Sequence, residues 1–209
     1  MKPRVLVVAT LTSVAIVTGC TSYNVSIRTF PAAKADIYVD GERLGQTTDD
    51  GRAIIATGKR SIFSQPLLEV RKDGQHAQLK MAYGQAGLKI ENVVRATSKT
   101  VGFDRYYDVV ISMVGNPLPP LKKELLTGQN ELRVSNPNNF AVWVAVRSEG
   151  RGVDFIVFES GSETVNLPDG RYDISYVYAT QPDELLQGGS VNLSGHSVEL
   201  RTIKHASGS

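Results

Sequence analysis

The chain has 209 residues, of which 41% are hydrophobic and 21% are charged. This composition is ordinary for a globular protein and excludes wholesale disorder. The formal net charge at pH 7 is only +2, and the sequence has no cluster of Lys and Arg of the kind that marks a nucleic-acid-binding face, so a nucleic-acid partner is not expected.

The N-terminus has the layout of an export signal. Two cations, Lys2 and Arg4, precede a mostly apolar run over residues 5–17, which is the order of charge and hydrophobicity in a secretory signal peptide. That run is too short to remain in a membrane as a spanning helix, which takes about 20 residues. We therefore expect residues 1–19 to be removed. Because Lys2 and Arg4 leave with them, 21 basic and 21 acidic residues remain.

The signal ends in small residues before a cysteine, Val17-Thr18-Gly19-Cys20. This motif resembles the bacterial lipobox, which implies cleavage between Gly19 and Cys20 and attachment of diacylglycerol and a fatty acid such as palmitate to Cys20. A thiolate is the nucleophile that this modification needs, and Cys20 is the only cysteine, so no internal disulfide competes for it. The alternatives are an ordinary signal peptide or a buried apolar helix, in either of which Cys20 has no role.

The lipobox resemblance implies a location in the bacterial cell envelope, with the protein anchored to a membrane by its lipid. Thr21 and Ser22 follow the cysteine, and neither is an Asp of the kind that resembles an inner-membrane retention signal. The cell outer membrane is therefore the expected location where the cell has two membranes.

The rest of the chain divides by pattern. Residues 20–29 are predicted to be a tether, 30–83 a first strand-rich domain, 84–127 a connecting segment, 128–205 a second strand-rich domain and 206–209 a polar tail. Within the connecting segment, the patterns favour a helix or loop over 84–100, a strand over 102–113, a stiff proline-rich linker over 116–120 and one or two helical turns over 121–127.

The first domain carries two hairpin signals. Ile37 and Val39 alternate with Tyr38 before the turn Asp40-Gly41, and a second turn, Asp73-Gly74, separates two further predicted strands, 67–72 and 77–81. This segment resembles the PEGA domain family. The resemblance implies a small, usually non-catalytic β-domain of exported proteins, and it transfers no catalytic residue. The matching positions are Pro31, Ala35, Ile37, Tyr38, Val39, Asp40, Gly41, Gly45, Thr47, Leu68, Val70, Lys72 and Gly74.

The second domain shows a regular succession of short strands and turn signals. This spacing predicts an antiparallel β-sandwich, immunoglobulin-like in broad outline. The predicted fold class is therefore all-β, with a small PEGA-like β domain followed by an immunoglobulin-like sandwich. The seven predicted strands are 130–134, 140–147, 153–158, 163–167, 171–179, 188–193 and 197–203.

Alternation within two of these strands predicts their buried faces. In the strand 171–179, four apolar or aromatic residues, from Tyr172 to Tyr178, share one face. The strand 140–147 is apolar on both faces, and its second face includes Trp143. A strand of that kind is expected to be central and covered, or to meet a partner with its second face.

The motifs of catalysis and metal binding are missing from the sequence. No serine lies in a Gly-x-Ser-x-Gly elbow, and no metal-binding spacing of His, Cys, Asp or Glu occurs, so neither an enzyme nor a cofactor is expected. The three histidines, His76, His196 and His205, fall in or beside predicted turns or in the tail, which favours solvated side chains.

Binding is the better expectation, and aromatic residues are the candidates for it. Exposed aromatic rings stack on sugars, and the candidates are Trp143, Tyr178, Tyr106 and Tyr107; packing in the core or between domains is the competing and favoured interpretation. We expect a non-catalytic lipoprotein that holds another envelope component by protein–protein contact. The alternatives are a glycan-binding lipoprotein for peptidoglycan or surface polysaccharide, and an accessory subunit of a hydrolase or secretion apparatus.

Overall fold

The protein is all-β. A computed structural model describes residues 19–83, 87–125, 127–195 and 197–202, and within these ranges it contains nineteen strands and no helix. Most of the strands form four sheets, which pack in pairs as two β-sandwiches.

The first sandwich has one sheet built from the predicted hairpins. We call it sheet I, and its strand order is β4-β3-β7-β8-β9. At its two tight turns, Asp40 and Gly41 have φ of 52° and 83°, and Asp73 and Gly74 have 49° and 81°. Positive φ at both central residues matches the twist of the flanking strands and accounts for the Asp-Gly pairs. Its strands are β3 (Asp36–Val39), β4 (Glu42–Gln46), β7 (Leu67–Lys72), β8 (Gln75–Lys80) and β9 (Leu88–Glu91).

The second sheet of this sandwich joins parts of the chain that are far apart in sequence. We call it sheet II, and its order is β10-β11-β2-β5, with β11 parallel to β2. A short pair, β1 (Cys20–Thr21) with β6 (Arg60–Ser61), lies next to it. The strands of sheet II are β2 (Tyr23–Phe30), β5 (Arg52–Ala56), β10 (Val93–Val101) and β11 (Asp104–Ser112).

The tether predicted over 20–29 is wrong. Tyr23, Val25 and Ile27 are fully buried on the face of β2 that packs against sheet I. Residues 84–127 are likewise more than a connection, because β9, β10 and β11 complete both sheets of the first sandwich. The strand predicted over 102–113 is present as β11. The helix or loop predicted over 84–100 is wrong where the structure describes it, because β9 and most of β10 lie there.

The second sandwich contains the seven strands that the sequence predicts. Sheet III has the order β12-β15-β14-β17-β18 and sheet IV the order β16-β13-β19. The strands are β12 (Lys123–Glu124), β13 (Asn130–Ser135), β14 (Val142–Ser148), β15 (Arg151–Val157), β16 (Ser162–Leu167), β17 (Gly170–Tyr178), β18 (Gln181–Leu193) and β19 (Val198–Arg201).

Its likeness to the immunoglobulin fold is one of architecture. If β13–β19 are lettered A to G, sheet III pairs C-B-E-F and sheet IV pairs D-A-G, whereas immunoglobulin domains pair A-B-E-D and C-F-G. The buried face predicted for β17 is confirmed, since its residues from Tyr172 to Tyr178 on that face lie in the core between the two sheets. The helical turns predicted over 121–127 are wrong where the structure describes them, because β12 pairs there with β15.

A third apolar cluster joins the two sandwiches. Trp143 and Ala145, on the second face of β14, pack against Phe30 of β2 and Val110 of β11. β14 is thus central in its sheet and covered on both faces, which is the first of the two possibilities that its sequence pattern left open. The proline-rich linker is anchored as well: Leu118 is buried in this cluster, and Arg147 donates a hydrogen bond to the Pro119 carbonyl oxygen (3.0 Å).

Candidate functional site

Cys20 lies on the surface at one end of the first sandwich. Its side chain is exposed, and its backbone is held by the pairing of β1 with β6, in which Cys20 stands opposite Ser61. The Ile62 amide donates a hydrogen bond to the Gly19 carbonyl oxygen (3.1 Å). Next to it, Thr21 is fully buried, so the exposed thiol adjoins the folded core directly.

Two loops meet beside Cys20. The Ser22 amide donates to Oδ1 of Asp104 (3.1 Å), and the Arg105 amide donates to the Ser22 carbonyl oxygen (2.8 Å), which ties the β10–β11 turn to the chain after the cysteine. The Tyr23 hydroxyl donates to the Ser64 carbonyl oxygen (2.9 Å), which ties in the second loop. We call Cys20, the loop 58–66 and the turn 101–104 the cysteine end.

Three exposed apolar side chains lie at the cysteine end, whereas Ile54, Leu88 and Ile90 are exposed elsewhere on the first sandwich. Phe63 is 76% exposed, Phe103 69% and Val101 57%. These residues are not among the candidates predicted from the sequence. Both phenylalanines lie in turns rather than in strands, where a neighbouring sheet would cover them.

Of the four aromatic residues considered for ligand binding, three are buried. Trp143 is 3% exposed and its ring meets Phe30 edge-on at a centroid distance of 5.6 Å. Tyr178 is 2% exposed in the second core, where burial raises the pKa of its hydroxyl to about 12. The Tyr107 hydroxyl bonds to the backbone of Ala82 (2.9 and 2.7 Å). These three rings cannot stack on a ligand in this conformation.

Tyr106 is the accessible member of the four. It is 38% exposed and lies on the outer face of sheet II, opposite Asn24 in the pairing of β11 with β2. The hollow above this face has a volume of about 550 Å³. A cation and short polar side chains surround the Tyr106 ring. The cation is Lys99, whose Nζ lies 5.8 Å from the ring centroid. The side chains lining the hollow include Asn24, Ser26, Ile54, Thr97, Lys99 and Asp108.

A second, smaller cleft lies between the two sandwiches and contains carboxylates. It has a volume of about 210 Å³, and Asp154, Glu124 and Lys89 are among its lining residues. Asp154 is already engaged, since Arg147 Nη2 donates to its Oδ1 at 2.5 Å. Burial raises the pKa of Asp154, and the Arg147 guanidinium opposes that rise. The buried indole N–H of Trp143, at the edge of this cleft, has no hydrogen-bond partner among the described residues.

The histidines and acidic residues do not assemble a metal centre in the ranges that the structure describes. Nε2 of His76 lies 2.9 Å from Oε2 of Glu91, and both side chains are nearly half exposed. No group of three or more His, Cys, Asp or Glu side chains comes together in those ranges. His196 and His205 lie outside the described residues, as does the predicted signal peptide up to residue 18.

Comparison with family models found no match to this sequence. Comparison with curated proteins likewise found none. Within the described ranges, no helix is long and apolar enough to span a membrane.

Proposed function

We propose that this protein is a lipid-anchored lipoprotein of the bacterial cell envelope that holds another envelope component without catalysing a reaction. The proposal is carried by Cys20: the only cysteine of the chain follows small residues at the end of an export-signal pattern, and its thiol is exposed where the folded sandwich begins. An exposed sulfur at that point is accessible for acylation. A lipoprotein carries two or three acyl chains, and stable anchoring needs more than one.

The anchor acts directly on the folded protein. Since Thr21 and Tyr23 are buried, acyl chains on Cys20 hold the first sandwich against the bilayer without a flexible segment between them. With Thr21 and Ser22 after the cysteine, the outer membrane is the proposed location in a cell that has two.

The non-catalytic role is supported by the PEGA-like segment. Most of its residues lie on the hairpins of sheet I, and one of them, Thr47, ties the structure together: its buried hydroxyl donates to the Ala33 carbonyl oxygen (2.5 Å) and accepts from the Ala35 amide (2.8 Å). This polar residue of the motif is therefore occupied with holding the backbone in place. That role is structural, and the resemblance implies a β-domain that is usually non-catalytic.

Glycan binding is the second candidate, and Tyr106 favours it. Sugar sites combine an accessible aromatic ring with hydrogen-bonding side chains, and Tyr106 has Asn24, Ser26 and Asp108 beside it in the open hollow. The burial of Trp143 and Tyr178 removes the larger aromatic platform that the sequence offered.

Intact-mass spectrometry of the protein extracted from its native membranes tests the anchor. We expect the chain to begin at Cys20 and to carry the added mass of the acyl chains, and the Cys20→Ser variant to leave the membrane fraction. A native chain with a free Cys20 thiol contradicts the proposal.

The bound component is identified from the same detergent extract. A protein that co-purifies with the native chain and is released from the membrane with the Cys20→Ser variant supports the holding role. Retention on purified peptidoglycan that is lost in Tyr106→Ala, and kept in the matched variant Tyr83→Ala at an equally exposed tyrosine, supports glycan binding instead.

A further inference from the structure

We propose that the cysteine end is a membrane-docking surface, in which Phe63 and Phe103 insert into the lipid bilayer on either side of the acylated Cys20. This inference deepens the proposed function and rests on Cys20 as the attachment point. It assigns a lipid surface as the occupant of an exposed apolar patch.

The position of the two phenylalanines carries the argument. Phe63 is two residues beyond Ser61, the strand partner of Cys20, and Phe103 precedes Asp104, whose carboxylate accepts the Ser22 amide. Both backbone segments are therefore tied by hydrogen bonds to Cys20 and the residues beside it. Any lipid joined to the Cys20 sulfur brings the bilayer surface to these two loops.

Packing in the ranges that the structure describes leaves most of these two side chains uncovered. Phe63 and Phe103 are 76% and 69% exposed, whereas Phe30, in the strand β2, is fully buried. Apolar side chains in solvent are costly, and a cluster of them marks an interaction site. Here the bilayer supplies the apolar environment that the protein does not.

The charged groups at this end are few and of mixed sign. Arg60 Nη1 forms an ion pair with Oδ2 of Asp40 at 2.5 Å, Asp104 accepts a hydrogen bond from the Ser22 amide, and Lys59 is exposed. The cysteine end thus lacks the dense basic cluster that recruits anionic lipids. Docking is therefore expected to depend on the apolar side chains rather than on the lipid charge.

The orientation of the molecule follows from β2. This strand runs from Tyr23 at the cysteine end to Phe30 at the contact with the second sandwich, and eight residues of strand span about 25 Å. With the cysteine end on the bilayer, the second sandwich is held on the side away from the membrane.

Tryptophan fluorescence in vesicles that contain bromine-labelled lipids tests the surface. The variants Phe63→Trp and Phe103→Trp are each extracted from membranes. Each is then reconstituted into vesicles of neutral and, separately, anionic composition. We expect both new tryptophans to lose emission to the brominated lipid and to shift to the blue in either composition. Both sites are exposed, so the larger ring meets few neighbours, and two independent positions guard against one variant that fails to fold.

The matched control is Gln75→Trp. Gln75 is exposed at the start of β8, at the opposite end of sheet I from the cysteine end, and its tryptophan should keep its emission. The native Trp143, buried at the contact between the sandwiches, provides a constant background in every variant.

The outcomes separate the docking surface from the anchor. If the mass of the native chain shows acylation but neither new tryptophan is quenched, the docking surface is overturned and the anchor stands. If the mass shows a free Cys20 thiol, the proposed lipid anchor is contradicted. The docking surface is then tested separately, by coupling the same protein through that thiol to a maleimide-bearing lipid. Quenching at positions 63 and 103 then supports the docking surface on its own, and its absence overturns it.

Discussion

The two ends of the first sandwich differ in the exposure of their phenylalanine side chains. At the end of β2 that meets the second sandwich, Phe30 is fully buried against Trp143. At the cysteine end, Phe63 and Phe103 are mostly exposed. An aromatic ring is buried where two sheets come together, and it is exposed where a turn leaves the sheet. Exposure in the second setting points to a surface outside the chain, which we propose to be the bilayer.

Removing the largest ring from the buried end should have the largest effect on stability. We expect Trp143→Ala to lower the free energy of unfolding by about 3–5 kcal/mol, because it leaves a cavity between the sandwiches. Denaturant unfolding followed by far-UV circular dichroism measures the change. The matched variant Phe103→Ala, at the exposed end, should stay within about 0.5 kcal/mol of the wild type. Equal losses in the two variants would remove the contrast between the ends.

Breaking the buried ion pair beside the same contact should have the next largest effect on stability. Asp154→Ala leaves the Arg147 guanidinium buried without its carboxylate, and we expect a loss of about 2–3 kcal/mol, because Arg147 keeps the carbonyl oxygens of Pro119 and Val153 as acceptors. Unfolding of the double variant Arg147→Met with Asp154→Leu is the control, and it should be more stable than Asp154→Ala. A double variant that is less stable than the single one would mean that the pair acts mainly by tying down the linker.

Breaking the ion pair at the rim of the contact should have the smallest effect on stability. Arg95 Nη1 lies 3.3 Å from Oε1 of Glu163 across the two sandwiches, and both side chains are about one third exposed. A double-mutant cycle with Arg95→Ala and Glu163→Ala should give a coupling below about 1 kcal/mol that shrinks with added salt. A larger coupling that persists at high salt would show that the rim, and not the apolar centre, holds the sandwiches together.

The parts of the fold that the sequence predicted are those with local signals. The hairpin turns at Asp40-Gly41 and Asp73-Gly74 need residues that tolerate positive φ, and this requirement is visible in the two residues of each turn. The apolar second face of β14 was predicted to be covered or to meet a partner, because a strand that is apolar on both sides is expected to be buried on both faces.

The errors came from contacts between distant residues. Residues 20–29 were predicted to be a tether because nothing near them in sequence pairs with them, yet β2 takes its place between β11 and β5. For the candidate site, the sequence predicted more: alternation placed Tyr178 on a buried face, and packing was the favoured interpretation for Trp143. Only the packing of whole sheets shows that Trp143 is buried at the contact with Phe30.

The sequence by itself determined the fold class and the positions of most strands, because periodicity and turn chemistry act within a few positions. The tertiary structure alone decided that β2 and β11, about 80 residues apart, pair in parallel and that Phe63 and Phe103 lie beside Cys20. Such pairings join residues that are distant in sequence, so no pattern within a few positions specifies them.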